Sequence, residues 1–426
     1  MMNRIILIGN GFDRAHGLLT GYDNFIKNYS DCLINTFKKS GGQFLSIKDE
    51  LLEIAYQNNT IWSTEYENIR TIVDLQDYIH KHGEKSSFKF RSKYFERIYK
   101  NIQANKWVDI ENEYYTLLKL ILNEELGDRR PYKNPKILND DLANIQKLLI
   151  QYLTQIQESI NPELVKDNLQ NTIYEPIDVN DISITGNEAL EIFLNQRWDD
   201  LKNEINRKLL FTYSVEPFGN EHDITKYIDR EKTFDKHLKN VYDKQYHVPK
   251  YFLLPDQILL LNFNYTKTAD LYIPQGSQFK VNHIHGELNN DNNPIIFGYG
   301  DELDEDYKSI ANLNDNEYLK NIKSIRYLET DNYRQLLRFI GSAPYQIYIM
   351  GHSCGNSDRT LLNTLFEHRN CLSIKPFYHK KEDGTDNYID IVQNISRDFN
   401  DMTLMRDRVV NKGYCRPLVE PVLDRC

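Results

Sequence analysis

Ile5-Ile6-Leu7-Ile8-Gly9-Asn10-Gly11-Phe12-Asp13 joins an unbroken apolar run to a turn bracketed by glycines. Ile5, Ile6 and Ile8 are β-branched, and no polar residue alternates with them. A strand wetted on one face alternates apolar and polar residues; a strand covered on both faces does not. The run therefore reads as a strand of a parallel sheet. Beyond the turn, Thr20 with Asp23 three residues later fits a capping pattern, so a helix is expected from about Tyr22.

Further along, the pattern changes. From 44 to 250 helical periodicity dominates, as in Leu117, Leu118, Ile121 and Leu122, then Leu148, Leu149, Tyr152 and Ile156. Strand-like runs are scarce there, and 188–210 again reads helical. Strand signals return after Pro255, at 258–261, 279–284, 295–297 and 347–350, with helical segments between and after them, including 360–366. That alternation predicts a parallel α/β sheet. The expected organisation is one discontinuous α/β nucleotide-binding domain, 1–43 and 251–426, interrupted after its first strand by a helical insertion domain at 44–250.

Composition bounds the class. The chain has 426 residues, 40% hydrophobic and 27% charged, which excludes a disordered chain and a membrane-embedded one. The net charge of −10 argues against duplex binding driven by phosphate neutralisation. The basic runs His379-Lys380-Lys381 and 397–408 read as solvated faces. Cys32, Cys354, Cys371, Cys415 and Cys426 are odd in number and form no C-x-x-C pair, so reduced thiols in a cytoplasm are expected. No run reaches the roughly 18 apolar residues of a membrane span, and no membrane partner is expected.

Each strand candidate ends in small and polar residues: Gly9-Asn10-Gly11-Phe12-Asp13, Asn262-Phe263-Asn264-Tyr265-Thr266, His283-Ile284-His285-Gly286, Gly298-Tyr299-Gly300-Asp301 and Gly351-His352-Ser353. Open α/β sheets bind ligands outside the carboxyl ends of their strands, so these clusters are expected to meet in one crevice. Gly9 and Gly11 suit a backbone that approaches a phosphate, or a plain strand–helix turn. The dinucleotide fingerprint needs a third glycine where Arg14 stands. Asp13 suits the turn itself or a ribose hydroxyl. Asn264 both donates and accepts, which suits positioning of a water or ribose, or an Asx turn. His283 and His285 lie two apart and would share a strand face; His285, beside Gly286, suits a general base, or a structural role. Gly351-His352-Ser353-Cys354-Gly355 superficially matches a nucleophile elbow, but Asp358 is too close for the usual triad; Ser353 better suits a ribose or phosphate ligand, with Asp358 near the next helix start. Trp107 and Glu111 have i, i+4 spacing; with Asp109 they would close over the crevice or simply begin a helix.

The opening Ile8 to Asp13 block, with Ala15-His16-Gly17-Leu18, Thr20, Tyr22 and Phe25, resembles the bacterial AbiH family of phage abortive-infection proteins. The Asn264-Tyr265-Thr266, His283-Ile284-His285-Gly286, Gly298-Tyr299-Gly300-Asp301 and Gly351-His352-Ser353 blocks fit that family in the same order, as do Trp107, Asp109 and Glu111. Arg14 and Gly21 depart from its pattern. AbiH proteins are in turn distantly similar to sirtuin-like NAD-cleaving effectors of phage defence. That resemblance implies a parallel Rossmann-like, sirtuin-like α/β sheet. It implies Asn264 and His285 as catalytic residues, Gly9 and Gly11 at the NAD phosphates, and Gly351 and Ser353 toward the adenosine. Asn10, Phe12, Asp13, Tyr265, Gly298, Asp301, His352 and Asp358 join the binding set. Asn10 stands where a small residue is expected, and Thr266 where an acid is expected. The four-cysteine zinc module of sirtuin deacetylases has no counterpart, which disfavours deacetylation.

The expected function is an antiphage effector that hydrolyses NAD at the nicotinamide–ribose bond, with NAD as substrate and no metal. A phage component or a co-encoded defence protein would trigger it, and the protein would be cytoplasmic and open to homo-oligomer formation. The alternatives are a non-catalytic nucleotide sensor, and a metal-dependent hydrolase or nuclease built on His283, His285, Asp301 and His352.

Overall fold

The computed structural model describes residues 1–58, 64–83, 86–105, 108–212, 253–274 and 279–420. Its strands are β1 (Asn3–Ile8), β2 (Phe44–Lys48), β3 (Leu52–Gln57), β4 (Ser87–Phe90), β5 (Ile258–Asn262), β6 (Lys280–His283), β7 (Tyr345–Met350) and β8 (Cys371–Phe377). Five of them form one sheet in the order β6-β5-β1-β7-β8, all pairs parallel. β1 is the central strand and every residue of it is buried, as its unbroken apolar run requires. In chain order within the sheet the arrangement is 3-2-1-4-5, a doubly wound order whose direction reverses between β1 and β7.

Two expectations about this sheet fail. Residues 295–297 form no strand. Ile296 N donates to His285 O at 2.9 Å, and Ile296 and Phe297 are buried in a loop after the left-handed Gly286. The fifth strand is instead β8, Cys-Leu-Ser-Ile-Lys-Pro-Phe, whose seven residues are all buried. Its polar residues are satisfied inside: Gln346 Nε2 donates to Ser373 Oγ at 3.3 Å, and Lys375 Nζ lies 2.9 Å from Asp181. Pro376 is tolerated because β8 lies at the sheet edge. Beyond it, Val410 N donates to Ile374 O and Leu418 N to Tyr378 O, both at 2.9 Å.

The segment read as helical begins with β2, β3 and β4, a separate antiparallel sheet. Leu52, Ile54 and Tyr56 alternate inward along β3. The helices follow the rest of the reading: α1 (Asn10–Ala15), α2 (Tyr22–Lys39), α3 (Ile72–His82), α4 (Lys93–Asn105), α5 (Ile110–Leu122), α6 (Pro135–Gln157), α7 (Asp167–Ile173) and α8 (Asn187–Thr212). α2 starts where expected, but Gly21 is its N-cap; the Thr20 hydroxyl donates to Asn10 Oδ1 instead. One apolar core joins this block to the main sheet's loops. It runs from Phe37, Ile54, Tyr94, Leu118 and Leu138 to Tyr265, Phe297 and Tyr299.

The loops after β1 and β7 cross backbone to backbone at the reversal point. A Cβ at Gly9 would lie 2.5 Å from His352 Cα, and one at Gly11 2.8 Å from Gly351 Cα. Gly351 has φ 84°, and a Cβ there would lie 2.1 Å from Phe12 N. Only glycine fits there without moving main chain. Gly351→Ala is expected to destabilise the fold by about 3 kcal/mol or more, as left-handed strain adds to a backbone clash. Urea unfolding followed by circular dichroism measures the loss.

Candidate active site

A cavity of about 540 Å³ opens outside the carboxyl ends of the main-sheet strands. Its lining includes Gly9, Asn10, Gly11 and Asp13 after β1, Asn264 and Tyr265 after β5, His285 after β6, and Gly351, His352, Ser353 and Asp358 after β7. Asp109 and Glu111, at the start of α5, form the wall opposite. Asp109 is the N-cap, its Oδ1 accepting from Asn112 N at 3.0 Å. The helix that bears Glu111 begins at Ile110, after Trp107, which lies outside the described residues.

Lys323 organises the polar floor. It is wholly buried, and its ammonium donates to Glu111 Oε2 at 2.8 Å and Asp358 Oδ1 at 2.9 Å. Asp358 also receives His285 Nε2 at 3.1 Å and faces His352 Nε2 at 3.5 Å. Tyr327 OH lies 3.2 Å from His285 Nε2. Glu111 Oε1 accepts from Gly298 N at 3.2 Å. One ammonium thus serves two carboxylates in a dry place, and the two carboxylates diverge. Burial opposes ionisation of Asp358, but Lys323 and His285 overcome it and hold its carboxyl well below the ordinary range. Burial outweighs Lys323 at Glu111, and the nearby Asp358 charge adds to it, so that carboxyl is pushed up to about 7. Burial and the Lys323 charge lower His285 despite Asp358, leaving a neutral imidazole near pH 7.

The glycine turn is differently employed. Gly11 N donates to Gly351 O at 2.9 Å, Phe12 N to Gly9 O at 2.8 Å and Gly9 N to Met350 O at 3.4 Å. Those amides are spent within the protein, and the Cβ spaces of Gly9 and Gly11 are filled by the 351–352 backbone. Asp13 is fully buried and its Oδ2 accepts from Thr266 Oγ1 at 2.7 Å. An acid at 266 would confront that carboxylate, which gives a physical reason for threonine there. Asn264 Nδ2 donates to Gly9 O at 3.0 Å and so ties the β1 and β5 turns together; the Asx-type acceptor is Asn262, whose Oδ1 takes Asn264 N at 3.1 Å.

Other sequence candidates lie elsewhere. Phe12 is buried in the core against Tyr272. Gly298 meets Glu111 by its amide but does not line the cavity, and Asp301 pairs with Arg359 at 3.3 Å and caps Leu303 N and Asp304 N. His283 ends β6 and faces Asn262 and Asp270, so the two histidines do not share the crevice. Among the described residues no group of three His, Cys, Asp or Glu is placed to hold a metal, so His283, His285, Asp301 and His352 are not a ligand set. Asp386, one of the acids downstream of Ser353, pairs with Lys412 at 2.8 Å. Sequence reading missed Lys323 and Tyr327, and named Tyr22 and His379, which also line the cavity, without assigning them to the site. Lys323 stands in no motif, and its one visible signal is a lysine flanked by isoleucines at 322 and 325.

The fold and this cavity define a doubly wound α/β protein with a buried charge-balanced site at its strand ends. Residues 5–379 match the family model "Bacteriophage abortive infection AbiH", and the chain belongs to that family. Comparison with curated proteins gave no match, and comparison with solved structures gave none. Among the described residues no helix is long and apolar enough to cross a membrane.

Lys323→Met strands two buried carboxylates and is expected to cost about 3–5 kcal/mol, read by urea unfolding. A second stability signal comes from Asp398, near Asp358. It is fully buried, both carboxylate oxygens lack a partner among the described residues, and burial, reinforced by the Asp358 charge, raises it from 3.8 to about 9. Its native value exceeds its unfolded one, so its contribution favours the fold below about pH 3.8 and is lost as pH rises toward 9. Asp398→Asn should flatten the fall in stability across that range, measured by thermal unfolding at stepped pH.

Proposed function

We propose that this AbiH-family chain is an abortive-infection effector that hydrolyses NAD at the nicotinamide–ribose bond. The observation that carries the reading is the His285–Asp358 pair, 3.1 Å apart, in a cavity whose wall also holds Asp109 and Glu111. The scissile bond already has a cationic leaving group, so no proton has to be delivered to it. The transition state resembles an oxocarbenium ion, which nearby carboxylates stabilise. Water forms a bond to the anomeric carbon of the ribose. The carbon–nitrogen bond breaks with its electron pair moving to the ring nitrogen, and nicotinamide leaves neutral. The water proton passes to His285, whose depressed basicity keeps it unprotonated and receptive near pH 7. Asp358 orients the ring and balances its charge once protonated. Asn264, anchored through its nitrogen to Gly9 O, presents its side-chain oxygen as an acceptor for ribose or water.

Purified protein incubated with NAD is expected to release nicotinamide and ADP-ribose, separated by liquid chromatography. His285→Ala and Asp358→Asn should each lower kcat/KM by roughly 100-fold or more. The rate should fall on the acid side, with its limb below the ordinary histidine value of 6.5 because His285 is lowered. NAD left intact by protein that arrests cells would sink the reading.

A further inference from the structure

We propose that the hairpin 379–387 at the cavity mouth is a diphosphate-binding subsite, with His379 and Lys381 as its phosphate donors. The proposal rests on the NAD reading and deepens it. A dinucleotide carries two charges of opposite kind: a cationic nicotinamide end and an anionic diphosphate. The cavity has a matching division. Its interior, where Asp358 is ionised and Asp109 and Glu111 stand on the wall opposite, suits the cation better than phosphate. The glycine turn has less to offer the phosphates, because the amides of Gly9, Gly11 and Phe12 already donate to protein carbonyls.

The remaining lining residues with basic side chains narrow the choice. His285 and His352 both face Asp358, and Arg14 is paired with Asp23. His379 also lines the cavity, is exposed, and has no ring partner among the described residues. It directly follows β8 by one residue and opens a closed hairpin. Asn387 N donates to His379 O at 3.2 Å, His379 N to Asn387 Oδ1 at 2.6 Å and Lys381 N to Thr385 O at 2.7 Å. Those bonds hold the turn rigid, with Gly384 at φ 83°. Lys381 is exposed and has no ion pair among the described residues, whereas Lys380 reaches Glu420 at 3.8 Å. Both ends of the hairpin, His379 and Asn387, line the cavity; Lys381 stands two residues beyond His379, the hairpin's acid Asp386 is paired with Lys412 at 2.8 Å, and Glu382 and Asp383 lie at its turn. Imidazole N–H and ammonium donors suit phosphate oxygens.

ADP-ribose carries the diphosphate without the scissile bond, so its binding tests the subsite apart from catalysis. Calorimetry on the full chain should show ADP-ribose binding that weakens about tenfold in His379→Ala/Lys381→Ala, the loss expected for charge-assisted hydrogen bonds. The ratio of kcat/KM for NAD to that for nicotinamide riboside, which lacks the diphosphate, should fall by a similar factor. Equal ADP-ribose affinities in wild type and variant, or no binding by wild type at millimolar ligand, would overturn the subsite. ADP-ribose binding that is lost in the variant, with no nicotinamide release by wild type, would keep the subsite and overturn the NAD-cleavage reading.

Discussion

The ammonium of Lys323, enclosed between Glu111 and Asp358, is the interaction on which the site depends. Glu111 comes from the helical block and Asp358 from the sheet, so the contact fastens the two halves of the cavity. A buried charge left alone is costly, and Lys323 lowers that cost for one carboxylate fully and for the other in part. The arithmetic of one cation for two acids produces unequal partners. Asp358 is firmly ionised and supports His285, while Glu111 titrates near neutrality.

A second constraint works on the backbone. Three glycines allow the loops after β1 and β7 to touch main chain to main chain. This contact occupies the amides of Gly9 and Gly11, which donate to Met350 O and Gly351 O. The turn is therefore a structural joint.

The central sheet was largely legible because β1, β5 and β7 are buried along their whole length and are dominated by apolar runs. Ile5 to Ile8 and 258–261 needed no other signal. β8 was hidden because Ser373 and Lys375 break its run, and they are buried only by virtue of Gln346 and Asp181, far away in sequence. Residues 295–297 carried the strand signature, but their apolar side chains fill two separate cores from a loop, Ile296 that of the main sheet and Phe297 that of the helical block. β2 to β4 were masked by their short lengths and mixed composition. The site was half legible. Strand-end residues such as Asn264, His285 and Asp358 sit where turns and titratable groups coincide, so local pattern finds them. Lys323 has no such pattern, since its meaning lies in partners 212 and 35 residues away.

The tail beyond β8 has a consequence for how copies of this chain meet. Val410 and Leu418 occupy carbonyl acceptors of Ile374 and Tyr378 along that margin. An incoming strand from another molecule finds those acceptors taken, so sheet extension is blocked on that side. Association there has to proceed through side-chain surfaces.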